Sequence, residues 1–215
     1  MKFNLLLMTI DLSEIGMLKG QQYETIITTK DAGGNPNAAP IGVICRGKDN
    51  VMCRIFKGSR TLDNIISQKE FTVNISQDPL LFTWSLLDNL QDEDFSKDNS
   101  IKDIDCYFKC KVTSLKEAVK QSDPIKKKSE AIVIKADVVE LIINNPVKVY
   151  NRSFGHVLES LVYMSRIDIA DDNQRKYYLD SLNEAFRVIR KVGSKKDKEA
   201  MDNIKNKLNE KGFEI

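Results

Sequence analysis

Between Tyr23 and Ile143 the β-branched and aromatic residues gather into six short runs separated by turn chemistry, and this rhythm limits the fold more than any other feature. The runs are residues 23–29, 38–46, 51–56, 71–76, 107–112 and 131–143, and Asp31-Ala32-Gly33-Gly34-Asn35-Pro36-Asn37 folds the first back on the second as a hairpin. Six strands with short connections suffice to close a small barrel. Two helices interrupt them. Ser59 caps one whose apolar positions Leu62, Ile65 and Ile66 keep helical spacing; Asp78-Pro79 opens the other, which runs through residues 80–87. Trp84, among Leu80, Leu81, Phe82 and Leu86, reads as core. Residues 88–105 turn polar and acidic and read as an exposed loop or insertion near a partner subunit.

After Pro146 the apolar period changes from two to about 3.6. Phe154, Val157, Leu158, Leu161 and Val162 form one helical stripe; Leu179, Leu182, Phe186 and Ile189 form a second that stops at Gly193; Ser194 starts a third, polar helix with only Met201, Ile204 and Leu208 to bury. The fold class is therefore mainly β: a six-stranded barrel over residues 1–145 with a helical appendage over 146–215.

Lys and Arg number 33 against 31 Asp and Glu, so the net charge of +2 makes no electrostatic case for nucleic acid. Cys45, Cys53, Cys106 and Cys110 lack C-x-x-C spacing, which removes zinc and thioredoxin chemistry and leaves reduced, buried thiols. Residues 1–8 carry a short apolar run followed by Asp11 and Glu14 instead of a small-residue cleavage site, so they read as folded protein and not a signal peptide. No apolar run reaches the roughly 20 residues that cross a bilayer, and the cytoplasm is the expected location. The lysines at 126–128 and 195–198 are too few to form basic tails.

Arg54-Ile55-Phe56-Lys57-Gly58-Ser59-Arg60-Thr61-Leu62-Asp63-Asn64 carries the chemistry. It passes from a strand end through a glycine turn into a helix start, which gathers unpaired backbone N–H groups, the positive end of a helix dipole, hydroxyls and cations. A phosphate monoester needs such donors together; Ser59 and Thr61 would offer neutral hydrogen bonds, and Lys57, Arg60 and Arg54 charge-assisted ones of roughly twice the strength. The same residues also suit a plain helix cap ringed by solvated cations. The segment lacks the G-x-x-x-x-G-K-[ST] pattern, so nucleoside triphosphate hydrolysis is not indicated.

With its surroundings the segment resembles a known family. The stretches 23–29, 36–43 (Pro-Asn-Ala-Ala-Pro-Ile-Gly-Val), 57–64 and 71–80, together with Asn151-Arg152-Ser153-Phe154-Gly155, are similar to a mainly archaeal family of split-barrel proteins related to the flavin reductases and, more distantly, to pyridoxamine phosphate oxidases. The resemblance covers residues 15–165 and fades over the last fifty. It implies a homodimer with flavin mononucleotide (FMN) in a groove between subunits, the second strand running its backbone along the ring at Asn37, Ala38, Ala39, Pro40 and Ile41. It also implies a phosphate held at Lys57–Thr61, with Asn64 bracing the turn or reaching the cofactor. Small side chains admit a ring close to the main chain, and Pro40 suits an edge position.

No nicotinamide-contacting histidine follows the barrel, a departure from better-known flavin reductases. The only histidine, His156, shares a polar stripe with Arg152, Glu159 and Tyr163, and Arg152 and His156 would meet substrate or the flavin edge if that helix covers the cofactor mouth. No Ser or Cys partner makes a hydrolytic triad with it, no carboxylate pair makes an acid/base site, and no metal cluster is expected. The expectation is an FMN-binding flavoprotein, an oxidoreductase of unassigned substrate. Its alternatives are a non-catalytic carrier or sensor, and a barrel holding a deazaflavin or pyridoxal phosphate.

Overall fold

The computed structural model describes residues 10–120 and 129–214. The readings of residues 1–8 and of the lysines at 126–128 lie outside the described residues. Six strands, β1 (Gln22–Lys30), β2 (Pro36–Cys45), β3 (Asn50–Phe56), β4 (Glu70–Ile75), β5 (Cys106–Lys120) and β6 (Ser129–Ile143), close an antiparallel barrel in the order β1-β2-β3-β6-β5-β4. Helix α1 (Arg60–Gln68) lies between β3 and β4, and α2 (Pro79–Leu86) follows β4. The chain divides after Tyr150 into two compact units. The second consists of α3 (Ser153–Arg166), α4 (Asp172–Val192) and α5 (Lys195–Glu210).

Period two explains the barrel. Odd positions of β1 to β4 point inward, and Tyr23, Ile27, Val43, Cys53, Ile55, Val73 and Ile75 meet Phe108 and Ile134 in one core. Leu62 and Ile65 of α1 join that core, so the helix closes one barrel end, while Ile66 stays exposed. All four cysteines are buried and free. Burial pushes the Cys53 and Cys106 thiols up to about 12, which keeps them protonated and unreactive.

The 88–105 segment is not simply an exposed loop. Phe95, Ile101 and Ile104 are buried over Ile26 and Ala38 on the outer barrel face. Asn74 ties the segment down: its amide donates to the Ile26 carbonyl at 3.1 Å and to Thr28 Oγ1 at 3.0 Å, and its Oδ1 accepts from the Ile101 amide at 2.9 Å. Three apolar residues scattered among acidic ones sustain no period, which is why the polar composition misled.

Trp84 is likewise not core; it is 41% exposed. Helix α2 is only eight residues long, and its apolar residues surround the axis with just Thr83 and Ser85 between them, so it has to leave part of that surface open. Leu81 and Phe82 face the buried cluster, and Leu80, Trp84 and Leu87 do not.

In the helical unit, α3 turns Val157 and the small Ser153 and Ser160 inward, with Tyr163 and Met164 packed beside them. The expected stripe is thus only one-fifth buried: Val157 is covered, whereas Phe154, Leu158, Leu161 and Val162 remain exposed. Small serines let α3 approach its neighbours closely, and packing follows them instead of the widest apolar face. Gly193 ends α4 without a left-handed turn (φ −70°); a Cβ there would sit 2.6 Å from the Ile189 carbonyl oxygen.

Candidate functional site

A seam in the barrel positions the site. Strand β2 pairs with β1 along its whole length but with β3 only at Val43, Ile44 and Cys45. The Cys45 amide donates to the Gln21 carbonyl at 3.0 Å, so odd positions of β2 direct their backbone groups toward β1 and even ones toward β3. From Pro36 to Gly42 those even positions face a gap. Pro36 and Pro40 lose no ladder hydrogen bond there, and Pro40 occupies the one-sided stretch that its chemistry suits.

The turn after β3 lies at the Asn37 end of this seam. Gly58 has φ +86° with nothing within 4 Å of a would-be Cβ, so glycine is required by conformation alone. Ser59 caps α1, accepting from the Leu62 amide at 3.3 Å and donating to the Phe56 carbonyl at 3.2 Å. Its hydroxyl is therefore spent on the cap. The backbone N–H groups of Gly58, Ser59, Arg60 and Thr61 have no partner among the described residues. Four amides at the positive end of a helix are an anion cradle in form.

Buried amides and hydroxyls brace the cradle. Asn37 donates to Thr61 Oγ1 at 2.9 Å and to Thr29 Oγ1 at 3.3 Å, Asn64 donates to Thr29 Oγ1 at 3.0 Å, and Arg60 Nε donates to Asn37 Oδ1 at 2.7 Å. Asn37, Thr61, Asn64, Arg60 and Ser59 are thereby brought together. Arg60 extends further, to Asp88 Oδ1 at 2.7 Å.

Lys57 turns away to Glu117 at 2.9 Å and Glu130 at 3.4 Å. The hydrogen bond that Lys57 donates to Glu117 leads in raising its pKa, with Glu130 adding to it, so Lys57 stays charged. Arg54 is exposed on the outer face of β3 with no described partner. Ala39, Pro40 and Ile41 line the half-buried course of β2, and Ala38 is covered by the Phe95 cluster.

Arg152 and His156 belong to the helical unit, where their charges help lower the pKa of Glu184 on α4, a shift led by the hydrogen bond from Arg187. No group of His, Cys, Asp and Glu among the described residues would hold a metal. Sequence reading missed Thr29, Asp88 and Trp84. Trp84, Ser85 and Asp88 line a hollow with Asn37, Ala38 and Phe95, and a loop aspartate that reaches the cradle from beyond the next strand leaves no sequence signal.

Residues 23–145 match the N-terminal domain, and residues 151–206 a further domain, of a protein family of unknown function, DUF447. The chain belongs to the DUF447 family. Family likeness therefore runs well past residue 165, through most of the helical unit where it was expected to fade.

An uncharacterised protein of Methanocaldococcus jannaschii is 27% identical over 197 residues, spanning 86% of this chain and 97% of its own. An FMN-bound DUF447 protein from Methanosarcina mazei is 26% identical in structural alignment with a TM-score of 0.51, covering 90% of this chain and 98% of that one. The styrene monooxygenase flavin reductase of Pseudomonas putida aligns at 12% identity and TM-score 0.44, over 60% of this chain and 83% of its own. The fold of this DUF447 chain is the split barrel with C-terminal helices.

Proposed function

We propose that this chain is a flavoprotein that holds FMN by its phosphate at the Gly58–Thr61 cradle, with the ring laid along the seam edge of β2. The observation that carries this reading is the set of four partnerless amides at the head of α1, and the FMN-bound relative from Methanosarcina mazei supports it. The donor chemistry fits: the amides and Arg60 suit a dianion, and the seam leaves the small residues Ala39 and Gly42 beside an open strand edge.

FMN, when bound, supplies electron or hydride transfer. The protein's own contribution is positional. Asn37 and Thr61 fix the turn, Arg60 neutralises the headgroup, and Pro36 and Pro40 leave the strand edge open to a ring. An oxidoreductase in the cytoplasm is the activity and location consistent with this, four buried reduced thiols fitting a reducing compartment. A homodimer belongs to the same reading.

Purified protein titrated with FMN and with riboflavin tests the proposal. FMN should bind far more tightly, because each charge-assisted hydrogen bond to phosphate contributes about 1.5–3 kcal/mol. Equal affinity for the two would remove the phosphate site. Extraction of the native chromophore separates FMN from a deazaflavin or pyridoxal phosphate, and anaerobic bleaching by electron donors separates an enzyme from a carrier.

A further inference from the structure

Arg60 has two anchors of different kinds. Its inner nitrogen rests on Asn37, a buried amide itself held by Thr61 and Thr29, so that end is fixed. Its outer nitrogen is held by the carboxylate of Asp88, which is exposed and belongs to the loop directly after α2. Asp88 sits at φ +58°, a left-handed conformation that L residues other than Gly, Asn and Asp adopt at a cost. A negative charge therefore stands on the cation of an otherwise electropositive cradle.

We propose that Asp88 competes with the phosphate headgroup for Arg60 and so sets how strongly the cradle discriminates phosphorylated from unphosphorylated ligands. The inference rests on the phosphate reading of the cradle and deepens it. A dianion at the Gly58–Thr61 amides would face Asp88 across one guanidinium. Two anions sharing Arg60 repel, so binding has to release Asp88 or accept that repulsion. Release frees the loop that lines the hollow beside Asn37, and Trp84 lies on the wall of the same hollow. Occupancy of the phosphate site is thereby transmitted to α2.

The chain's single tryptophan makes this measurable. FMN, riboflavin and inorganic phosphate are titrated into the wild-type protein, Asp88→Asn and Asp88→Gly, with Trp84 emission and flavin fluorescence as readouts. Both substitutions tolerate φ +58°, and thermal unfolding confirms that each variant folds. Because the Arg60–Asp88 pair is exposed, its removal should tighten FMN and inorganic phosphate binding about two- to fivefold relative to riboflavin. Phosphate should shift Trp84 emission in the wild type and much less in either variant. Unchanged or weaker phosphate binding in both variants overturns the competitor role. Failure of wild-type protein to bind FMN overturns the flavin reading instead, and the inorganic phosphate comparison still decides the role of Asp88.

Discussion

Asn37→Ala removes one amide on which three side chains depend. The wild-type amide gives hydrogen bonds to Thr61 at 2.9 Å and Thr29 at 3.3 Å and receives one from Arg60 at 2.7 Å, inside a site only 7% exposed. Thr29 keeps its bond from Asn64 at 3.0 Å, so its loss is partial. Thr61 and Arg60 lose the partner that orients them. A neutral hydrogen bond contributes about 0.5–1.5 kcal/mol and one to a charged group about 1.5–3, which puts the destabilisation at about 3 kcal/mol. For a chain of this size that lowers the melting temperature by about 6–12 °C. Circular dichroism melts of wild type and variant measure it directly. Asn37→Asp refines the test, since it still accepts from Arg60 but cannot donate to either threonine, and it should fall between the two. A shift below about 2 °C for Asn37→Ala would refute the claim that this amide organises the turn.

Gly58→Ala meets no atom within 4 Å, so its cost is conformational alone, about 1–2 kcal/mol in unfolding experiments, with a fall in FMN affinity. Phe108→Ala empties the centre of the barrel and should cost about 3–5 kcal/mol by chemical denaturation. Burial pushes the Asp98 carboxyl up, but hydrogen bonds from Ser96 and Tyr107 and the Lys109 ammonium outweigh it and hold its pKa well below the usual range. A depressed folded pKa stabilises above the unfolded value of about 3.9 and loses that stability as pH falls below it. Stability of wild type relative to Asp98→Asn should therefore be constant near neutrality and shrink below about pH 4. A chain ended at Tyr150 should keep a folded barrel, whereas one ended at Asn145 loses the amide-to-carbonyl bonds Val149–Ile15 (3.0 Å) and Glu24–Tyr150 (2.9 Å) and should melt earlier.

The barrel was legible because alternation is a local signal: Tyr23, Ile27, Val43 and Val73 announce their inward side by parity alone. The cap at Ser59 and the glycine turn at Gly58 were legible for the same reason, since each acts within a few residues. The orientation of α2 was not, because Leu80, Leu81, Phe82 and Trp84 are all apolar and the sequence offers no polar side to set the direction. Phe95, Ile101 and Ile104 were hidden by their acidic neighbours. Within the site, the amide cluster was readable, but the commitments of its cations were not. Lys57 is drawn to Glu117 and Glu130, and Arg60 to Asp88, through pairs separated by 28 to 73 positions that only the closed barrel makes neighbours.

The one-sided course of β2 has a consequence for solubility. An unpaired strand edge invites a foreign strand to zip onto it through its row of free donors and acceptors. Here Pro36 and Pro40 withhold their donors on that side, leaving the Ala38 amide alone between them. A flat ring can settle against such an interrupted edge, but a growing sheet cannot.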